Sequence, residues 1–486
     1  MSAIDQEKTT RRGRRESSRK ARISRKADMS GIAKLKEQTH RLTLLNKTDA
    51  SAVHEAVLKI LWDFGVQVEH AGARSMLLKE QGCREAANGY IQMSPDLVHR
   101  ALSTVPGCVK LYDLNGNLSV DTSSRLSSYA PGHNCVRVLD HVTRELRPCQ
   151  LDDIRNTAIV CEKLPNIAMS CSLGYPSDVP AEDEALETAK VLLEHCSKPA
   201  VILAHDDEIQ GRIFDHLKTL AGGAGNLADK PIALELMGPI SPLKLPEDFC
   251  QRIINGARAR VPIVCYPATF PGMSSPISVA GAIAQSSAEA IAGIVVHQLA
   301  EPGAPVISGS AVLPMDMRQA DLAYGSPEYM LNGLGAADYF NSVGIPSWIG
   351  AGCSDSHDFD AQAASEAGAN MAIAALASTP FVHNLGYLSG GRTGSLEMLV
   401  LCDELVGWTN QMAGGCVVDA DAIAVEVVKR AALDNSYLTD QHTQDRYLSE
   451  NWFPTLLERS DADAWLDRGS PDMRARIGHK LSEMLR

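Results

Sequence analysis

The chain is poor in aromatic residues: Phe, Trp and Tyr make up 5% of its 486 residues. Its core must therefore be built from Ala, Val, Ile and Leu. Twelve cysteines are scattered from Cys83 to Cys416 with no C-x-x-C pair. That spacing excludes a disulfide scaffold or a structural zinc knuckle and suits reduced, buried thiols. No apolar run is free of polar residues for the ~20 positions that a bilayer span wants. The most apolar stretch, from Val279 to Ala300, carries Gln285, Glu289 and His297, and it reads as a buried helix. No apolar segment follows the basic residues at the N-terminus, so a signal peptide is not expected and the chain reads as cytoplasmic. Phosphate-binding and nucleophile-elbow signatures (G-x-G-x-x-G after a strand, G-x-x-x-x-G-K-[ST], G-x-S-x-G) are all missing.

Positive charge is also short. Lys+Arg is 46 against 59 Asp+Glu, a net charge of -13, which argues against nucleic acid as the main partner. The balance is uneven. The first 41 residues hold 13 basic and 5 acidic side chains, 13 - 5 = +8, leaving -21 on the rest. Residues 1–45 read as a solvated basic tail suited to docking on an acidic partner surface, in preference to the sharper reading of an RNA or membrane tether.

Beyond the tail, 46–124 is a mixed α/β extension. Thr48-Asp49 begins a helical pattern, Ser94-Pro95 opens a short helix, and Val109–Tyr112 reads as a strand before an Asn-Gly-Asn turn. After residue 125 a rhythm sets in. Short apolar runs at Arg125–Ala130, Ile167–Leu173, Ala200–Ala204, Ile232–Met237, Pro262–Tyr266, Pro305–Ser308, Pro346–Ile349 and Phe381–Leu385 alternate with helical patterns. Runs without polar alternation are the mark of parallel strands buried on both faces. Eight of them in about 290 residues predict a (β/α)8 TIM barrel over 125–420, in preference to an open doubly wound sheet. Residues 421–486 read as a helical extension that packs across the barrel or against another subunit.

A barrel works at the carboxyl ends of its strands. That rule selects His133, Tyr266, His357 and Tyr387, and a rim of glycines that would suit a large planar cofactor brought from outside. His205-Asp206-Asp207 has no second histidine at ligand spacing; a helix cap is expected there and no metal site. Glu235 interrupts an apolar strand, so it either holds a cation or pairs with an arginine. In so aromatic-poor a chain, Tyr266, Phe270, Trp348, Phe359 and Tyr387 near strand ends point to cation–π recognition.

Five stretches carry a resemblance. They are SPISVAGAIAQSSAEAIAGIVVHQLAEPGAPVISG, ending at Gly309, DMRQADLAYGSPEYMLNGLGAADYF, GAGCSDSHDFDAQAASEAGAN, SLEMLVLCDELVG and HTQDRYLSENWFP. Together they resemble the trimethylamine methyltransferase (MttB) family of corrinoid-dependent methyltransferases, from about residue 50 to the C-terminus. The resemblance implies a TIM barrel and methyl transfer from a methylated amine to the Co(I) corrinoid of a separate carrier protein. No cofactor would be held tightly by this chain. Founding members contain pyrrolysine and demethylate trimethylamine. This sequence has none, which places it with members that demethylate quaternary amines such as glycine betaine, proline betaine or carnitine.

From position, Tyr266, Tyr387, Glu235 and Trp348 are expected to hold the cation. His357 and His133 would orient substrate or meet the corrinoid edge. Arg392 or the Gly350–Ser354 backbone would take a carboxylate. Gly132, Asn134, Gly350, Gly352 and Ser354 would line the cofactor side. A homo-oligomer is expected. Two other classes compete: a non-catalytic quaternary-amine-binding subunit and a TIM-barrel lyase of unrelated chemistry.

Overall fold

The structure, a computed structural model, describes residues 37, 41–377, 379–434 and 436–486. Most of the basic tail therefore lies outside the described residues. Seven parallel strands form one sheet: β1 (Ser128–Pro131), β2 (Ala200–Ile202), β3 (Ala233–Met237), β4 (Ile263–Cys265), β5 (Val306–Gly309), β6 (Ser347–Gly350) and β7 (Phe381–Leu385). Their order is β1-β7-β6-β5-β4-β3-β2. The seam between β2 and β1 is filled by the expected second run, held by single parallel bridges at Tyr129–Ile167 and Ser170–Ala200. Ala168 N–H donates to Tyr129 O at 2.9 Å on one side, and Val201 N–H to Ser170 O at 2.8 Å on the other. The fold is thus a TIM barrel with eight positions around the ring, seven of them regular strands.

Helices follow the expected patterns closely: Glu184–His195, Asp207–Ala221, Glu247–Ala259, Val279–Ala300, Pro327–Ser342 and Ala361–Leu376. Asp206 caps the second of these by accepting from Ile209 N–H at 2.8 Å, which uses one of the orphan donors of a helix start. The apolar helix Val279–Ala300 is a core element: Ile283, Ile291 and Ile294 are buried with Val57, Leu61 and Leu97 of the N-terminal extension. On the other side, Asp338 gathers the start of the described chain, taking Arg41 at 3.0 Å, Leu44 N–H at 2.6 Å and Leu45 N–H at 3.0 Å. In the C-terminal extension, Glu404 of the helix Leu396–Ala413 accepts from the N–H groups of Thr455, Leu456 and Leu457. Trp452 lies against Gly407, where a Cβ would sit 3.0 Å from its indole nitrogen.

Strand parity sorts the side chains. Leu234 and Leu236 of β3 point into the lumen with Val201, Val264, Ile307 and Trp348. Ala233, Glu235 and Met237 point outward to the helices. Glu235 is fully buried there, with Gln210 Nε2 at 2.6 Å and Arg252 Nη1 at 3.3 Å. Burial pushes its carboxyl up to about 7, against the pull of Arg252 and Gln210. The cation role expected for Glu235 is therefore overturned; the arginine partnership, the other reading of this residue, is what the fold contains.

Replacing Glu235 by Ala leaves Arg252 buried with only Asp248, 3.0 Å away, as acidic partner. Loss of one member of a buried pair costs about 3–5 kcal/mol. Glu235→Ala should lower the denaturation midpoint clearly in a urea or thermal melt, with unchanged turnover per folded molecule. The carboxyl pKa is raised on folding, so its ionisation opposes the folded state. Stability contributed at this site is full below the unfolded value of 4.5 and falls as pH rises to about 7. Melts across that window should show this decline in the wild type and not in Glu235→Gln.

Candidate active site

At the carboxyl end of the barrel the scarce aromatic residues converge. His383 lies on β7 two residues beyond lumen-facing Phe381, so alternation aims it inward. Its ring stands 5.3 Å from Tyr266, 5.0 Å from Trp348 and 6.1 Å from His133. Tyr324 is 4.9 Å from Tyr329 and 6.2 Å from Tyr387. Tyr324 comes from the long loop after β5 and Tyr329 from the first turn of the following helix. Four tyrosines, two histidines and one tryptophan thus form a cage at the mouth, with Trp348 as its floor.

The cage is held by hydrogen bonds to its own loops. Tyr387 Oη accepts from His133 N–H at 2.5 Å and Asn134 N–H at 3.0 Å, and donates to Asn134 Oδ1. Asn384 Nδ2 donates to Tyr329 Oη at 2.9 Å. Asp355 accepts from Tyr324 N–H at 2.8 Å and Gly325 N–H at 2.9 Å, which tethers the loop that carries Tyr324.

Electrostatically the cage is neutral. Burial lowers the pKa of His133 to about 4 and that of His383 to about 3, with the nearby His133 adding to the effect on His383. Burial likewise pushes Tyr266, Tyr324, Tyr329 and Tyr387 above the ordinary phenol range. His383 Nδ1 lies 2.9 Å from Ile349 O, so that nitrogen carries the proton. His133 Nδ1 and Trp348 Nε1 are buried and have no protein partner. Buried polar atoms are normally paired, and these two are left with hydrogen-bonding capacity to spare.

Of the residues expected to touch substrate, Tyr266, Tyr387, Trp348 and His133 come together. Three do not. Arg392 is locked to Asp321 by two bonds of 2.7 and 2.6 Å on the outer rim, so its charge is already paired. His357 is exposed on the rim, with Nδ1 3.0 Å from Ser389 Oγ. Glu235 faces the helices. Phe359 lies beneath the Arg474 guanidinium and takes no part in the cage.

The cofactor-side residues are also corrected. A Cβ on Gly132 would lie 1.9 Å from the Tyr387 ring, and one on Gly350 would lie 1.9 Å from Tyr329 Oη. Gly352, at φ +70°, faces Leu385 and Cys402. Asn134 serves Tyr387. Ser354 Oγ is spent on Glu366 at 2.5 Å and on Ser356 N–H at 2.9 Å. Gly132 and Gly350 thus make room for the cage's own rings, and Gly352 for Leu385 and Cys402.

Tyr324, Tyr329, His383 and Asn384 went unseen in the sequence reading. Parity along Phe381–Leu385 was signal enough for His383; Tyr324 lies in a loop whose course no local pattern gives, and Tyr329 opens the helix that this loop positions. Beside the mouth, His205 Nε2 sits 2.5 Å from Glu184 Oε2, which raises the histidine's pKa. With Ser172 and Tyr175 the pair lines a shallow crevice whose charges are already matched.

Fold and site together define a TIM-barrel protein with a buried cluster of neutral aromatic side chains at the carboxyl end of its barrel. The chain belongs to the trimethylamine methyltransferase (MTTB) family, whose model matches residues 11–486. It is 25% identical over 435 residues to trimethylamine methyltransferase MttB of Desulfitobacterium hafniense strain DSM 10664 / DCB-2, covering 89% of this chain and 87% of that one. It is 27% identical over 427 residues to glycine betaine methyltransferase of D. hafniense strain Y51, covering 87% and 88%. The solved monomethylamine methyltransferase of Methanosarcina barkeri aligns at a TM-score of 0.48 and 10% identity, over 93% of this chain and 90% of that one. The protein is a methyltransferase of this family.

Tyr387→Phe keeps the ring and removes the oxygen that satisfies two backbone donors. An unsatisfied buried donor costs about 1–3 kcal/mol. The variant should melt lower than wild type and lose substrate affinity. Gly132→Ala should be worse, because its methyl group claims the space of the ring itself; substrate titration and melting of both variants check this.

Proposed function

We propose that the protein transfers a methyl group from a quaternary methylamine to the Co(I) corrinoid of a separate carrier protein. The observation that carries this reading is the charge-free aromatic cage. A quaternary ammonium is weakly hydrated and has no N–H to satisfy, so aromatic faces suffice to bind it, each worth about 0.5–2 kcal/mol. A protonated tertiary amine brings an N–H whose burial needs an acceptor. The Asp355 carboxylate, whose charge reaches Tyr324, is engaged by the Tyr324 and Gly325 N–H groups, and that of Glu235 by Arg252. Where the quaternary amine also bears a carboxylate, as the betaines do, the free nitrogens of His133 and Trp348 are the groups placed to meet it. The glycine betaine methyltransferase among the relatives supports that substrate class.

The chemistry asks little of the side chains. The C–N bond breaks with both electrons left on nitrogen, the amine departs neutral, and cobalt provides the pair for the new bond to carbon. No acid, base or protein nucleophile enters. The chain's task is to fix one methyl toward the mouth and keep water out. Tyr266, Tyr324, Tyr329 and Tyr387 wall the cation, and His383, its Nδ1 anchored on Ile349 O, keeps Tyr266 and Trp348 in place.

The direct test mixes the protein with chemically reduced cob(I)alamin and a panel of trimethylamine, glycine betaine, proline betaine, carnitine and choline, following loss of the Co(I) band. One or more quaternary amines should react at least about tenfold faster than trimethylamine, a difference of ~1.4 kcal/mol. Saturable binding of a quaternary amine without turnover, with carrier protein present, would leave the non-catalytic reading standing. Tyr266→Leu and Tyr324→Leu should each raise KM about 2- to 30-fold, in line with one lost cation–π face.

The pH profile follows from the histidines. Their pKa values are lowered, so both are neutral above about pH 5 and methyl transfer should not vary between there and pH 9. Below that, as pH falls through about 4, protonated His133 places a like charge beside the cation and activity should drop. A rate that follows a group titrating near pH 7 would contradict an acid-free mechanism.

A further inference from the structure

The rim of the mouth is uneven. On the side of β3, β4 and β5 the loops Gly238–Leu243, Tyr266–Ser278 and Ser310–Met315 contain no charged residue, in a chain that is 22% charged. They contain six prolines, at 239, 242, 267, 271, 276 and 314, which stiffen them. The backbone continues the barrel's parallel pairing one tier higher. Ile240 bridges Ala268, and Ala268–Thr269 pairs with Ala311–Val312. On this collar large apolar side chains stand in water: Ile240 is 54% exposed, Met273 65%, Ile277 69% and Met317 59%. Ile277 and Met317 are contiguous, with Met273 beside them in the chain. At Gly272, φ +83°, a Cβ would lie 2.3 Å from Met317 Cε and 3.1 Å from Ile277 Cδ1, so both side chains cross over that glycine. Isolated exposed apolar residues are ordinary, but a joined, charge-free group of them around a site marks an interface.

We propose that this collar is the docking surface for the protein that brings the methyl acceptor, received against Ile240, Met273, Ile277 and Met317. The inference rests on the corrinoid-transfer reading above. The cage is closed within this chain, and the acceptor belongs to another, so it must arrive across the rim. The edge of a corrinoid carries methyl groups and neutral amides, and the three uncharged, proline-stiffened loops match it, while Asp316 and Arg318, which flank Met317, are paired with each other at 2.8 Å. Continuity with the site supports the same occupant. Met317 lies at the tip of a hairpin, Met315–Asp316 paired with Asp321–Leu322, and two residues further on the same loop supplies Tyr324 to the cage. A partner seated on Met317 therefore bears on a wall of the substrate site, coupling arrival of the acceptor to closure around the cation. The exposed apolar residues of the C-terminal extension, Leu433 and Leu438 among them, belong to no strand-end loop of the barrel and serve as the control surface.

The test compares two acceptors. One is free cob(I)alamin. The other is a purified, cobalamin-loaded carrier protein chosen because the wild type methylates it faster than the free cofactor. A Met273→Glu/Ile277→Glu/Met317→Glu variant should methylate the carrier at least about tenfold more slowly, as loss of a central apolar anchor does at interfaces. Its rate with free cob(I)alamin should stay within about twofold of wild type, which also reports that the cage is intact. A Leu433→Glu/Leu438→Glu control should leave both rates unchanged. Equal losses with both acceptors, or no loss with the carrier, would overturn the docking surface. So would sedimentation showing that the triple variant dissociates a wild-type oligomer, which would assign the collar to a second copy of this chain. Absence of methylation by the wild type with either acceptor would instead overturn the transfer reading itself.

Discussion

One hydroxyl ties the molecule together. Tyr387 follows the last barrel strand, and His133 and Asn134 follow the first. Tyr387 Oη takes both of their N–H groups and returns its own proton to Asn134. The bond spans the ring where its two ends meet, in the space that Gly132 leaves by having no Cβ. Closing the barrel and setting the cage are thus one event. The ring that links these two strand ends faces Tyr324, and the backbone it captures carries the inward histidine. Burial then follows from closure, and neutrality follows from burial, because desolvation disfavours the charged form of every titratable side chain in the cage.

The barrel was largely legible because its signal is redundant. Apolar runs without alternation recur at near-regular spacing, and each helix between them begins and ends within a few residues of the patterned stretch. The second run shows what such a pattern cannot say. Ile167–Leu173 is as apolar as its neighbours, yet it holds its place through single bridges, because regularity of pairing depends on the two strands beside it. Glu235 shows the other limit. A carboxylate in a buried strand could face either layer, and only parity against Leu234 and Leu236 assigns it to the helices.

The structure gathers the expected side chains that lie at strand ends and not those whose placement needed tertiary knowledge. Tyr266, Tyr387, Trp348 and His133 follow from the rule that barrels work at carboxyl ends. Tyr324 does not, since it reaches the cage along a loop fixed by the Asp355 carboxylate, a residue with no local mark of that role. The glycines misled for a physical reason. A residue without Cβ signals that something approaches closely, but not whether the visitor is a ligand or a side chain of the same protein. At positions 132 and 350 the visitors are Tyr387 and Tyr329. Arg392 and His357 erred in the same sense: proximity to the mouth in sequence placed them on its outer rim, where Asp321 and Ser389 had prior claim.

This arrangement divides labour by charge. An ion pair in the cage would hold a cation more tightly in the ground state, yet in the proposed transfer attack at the methyl carbon would turn that cation into a neutral amine. A carboxylate placed to stabilise the positive nitrogen would lose its partner as the bond breaks, and that loss would raise the barrier. Aromatic faces bind the cation more weakly and give up less as the charge disappears. A charge-free cage is therefore better matched to a reaction that consumes its substrate's charge than a salt bridge would be. The same logic leaves the charged residues of the rim, Arg392 with Asp321 and Arg144 with Asp358, paired among themselves and turned away from the reacting centre.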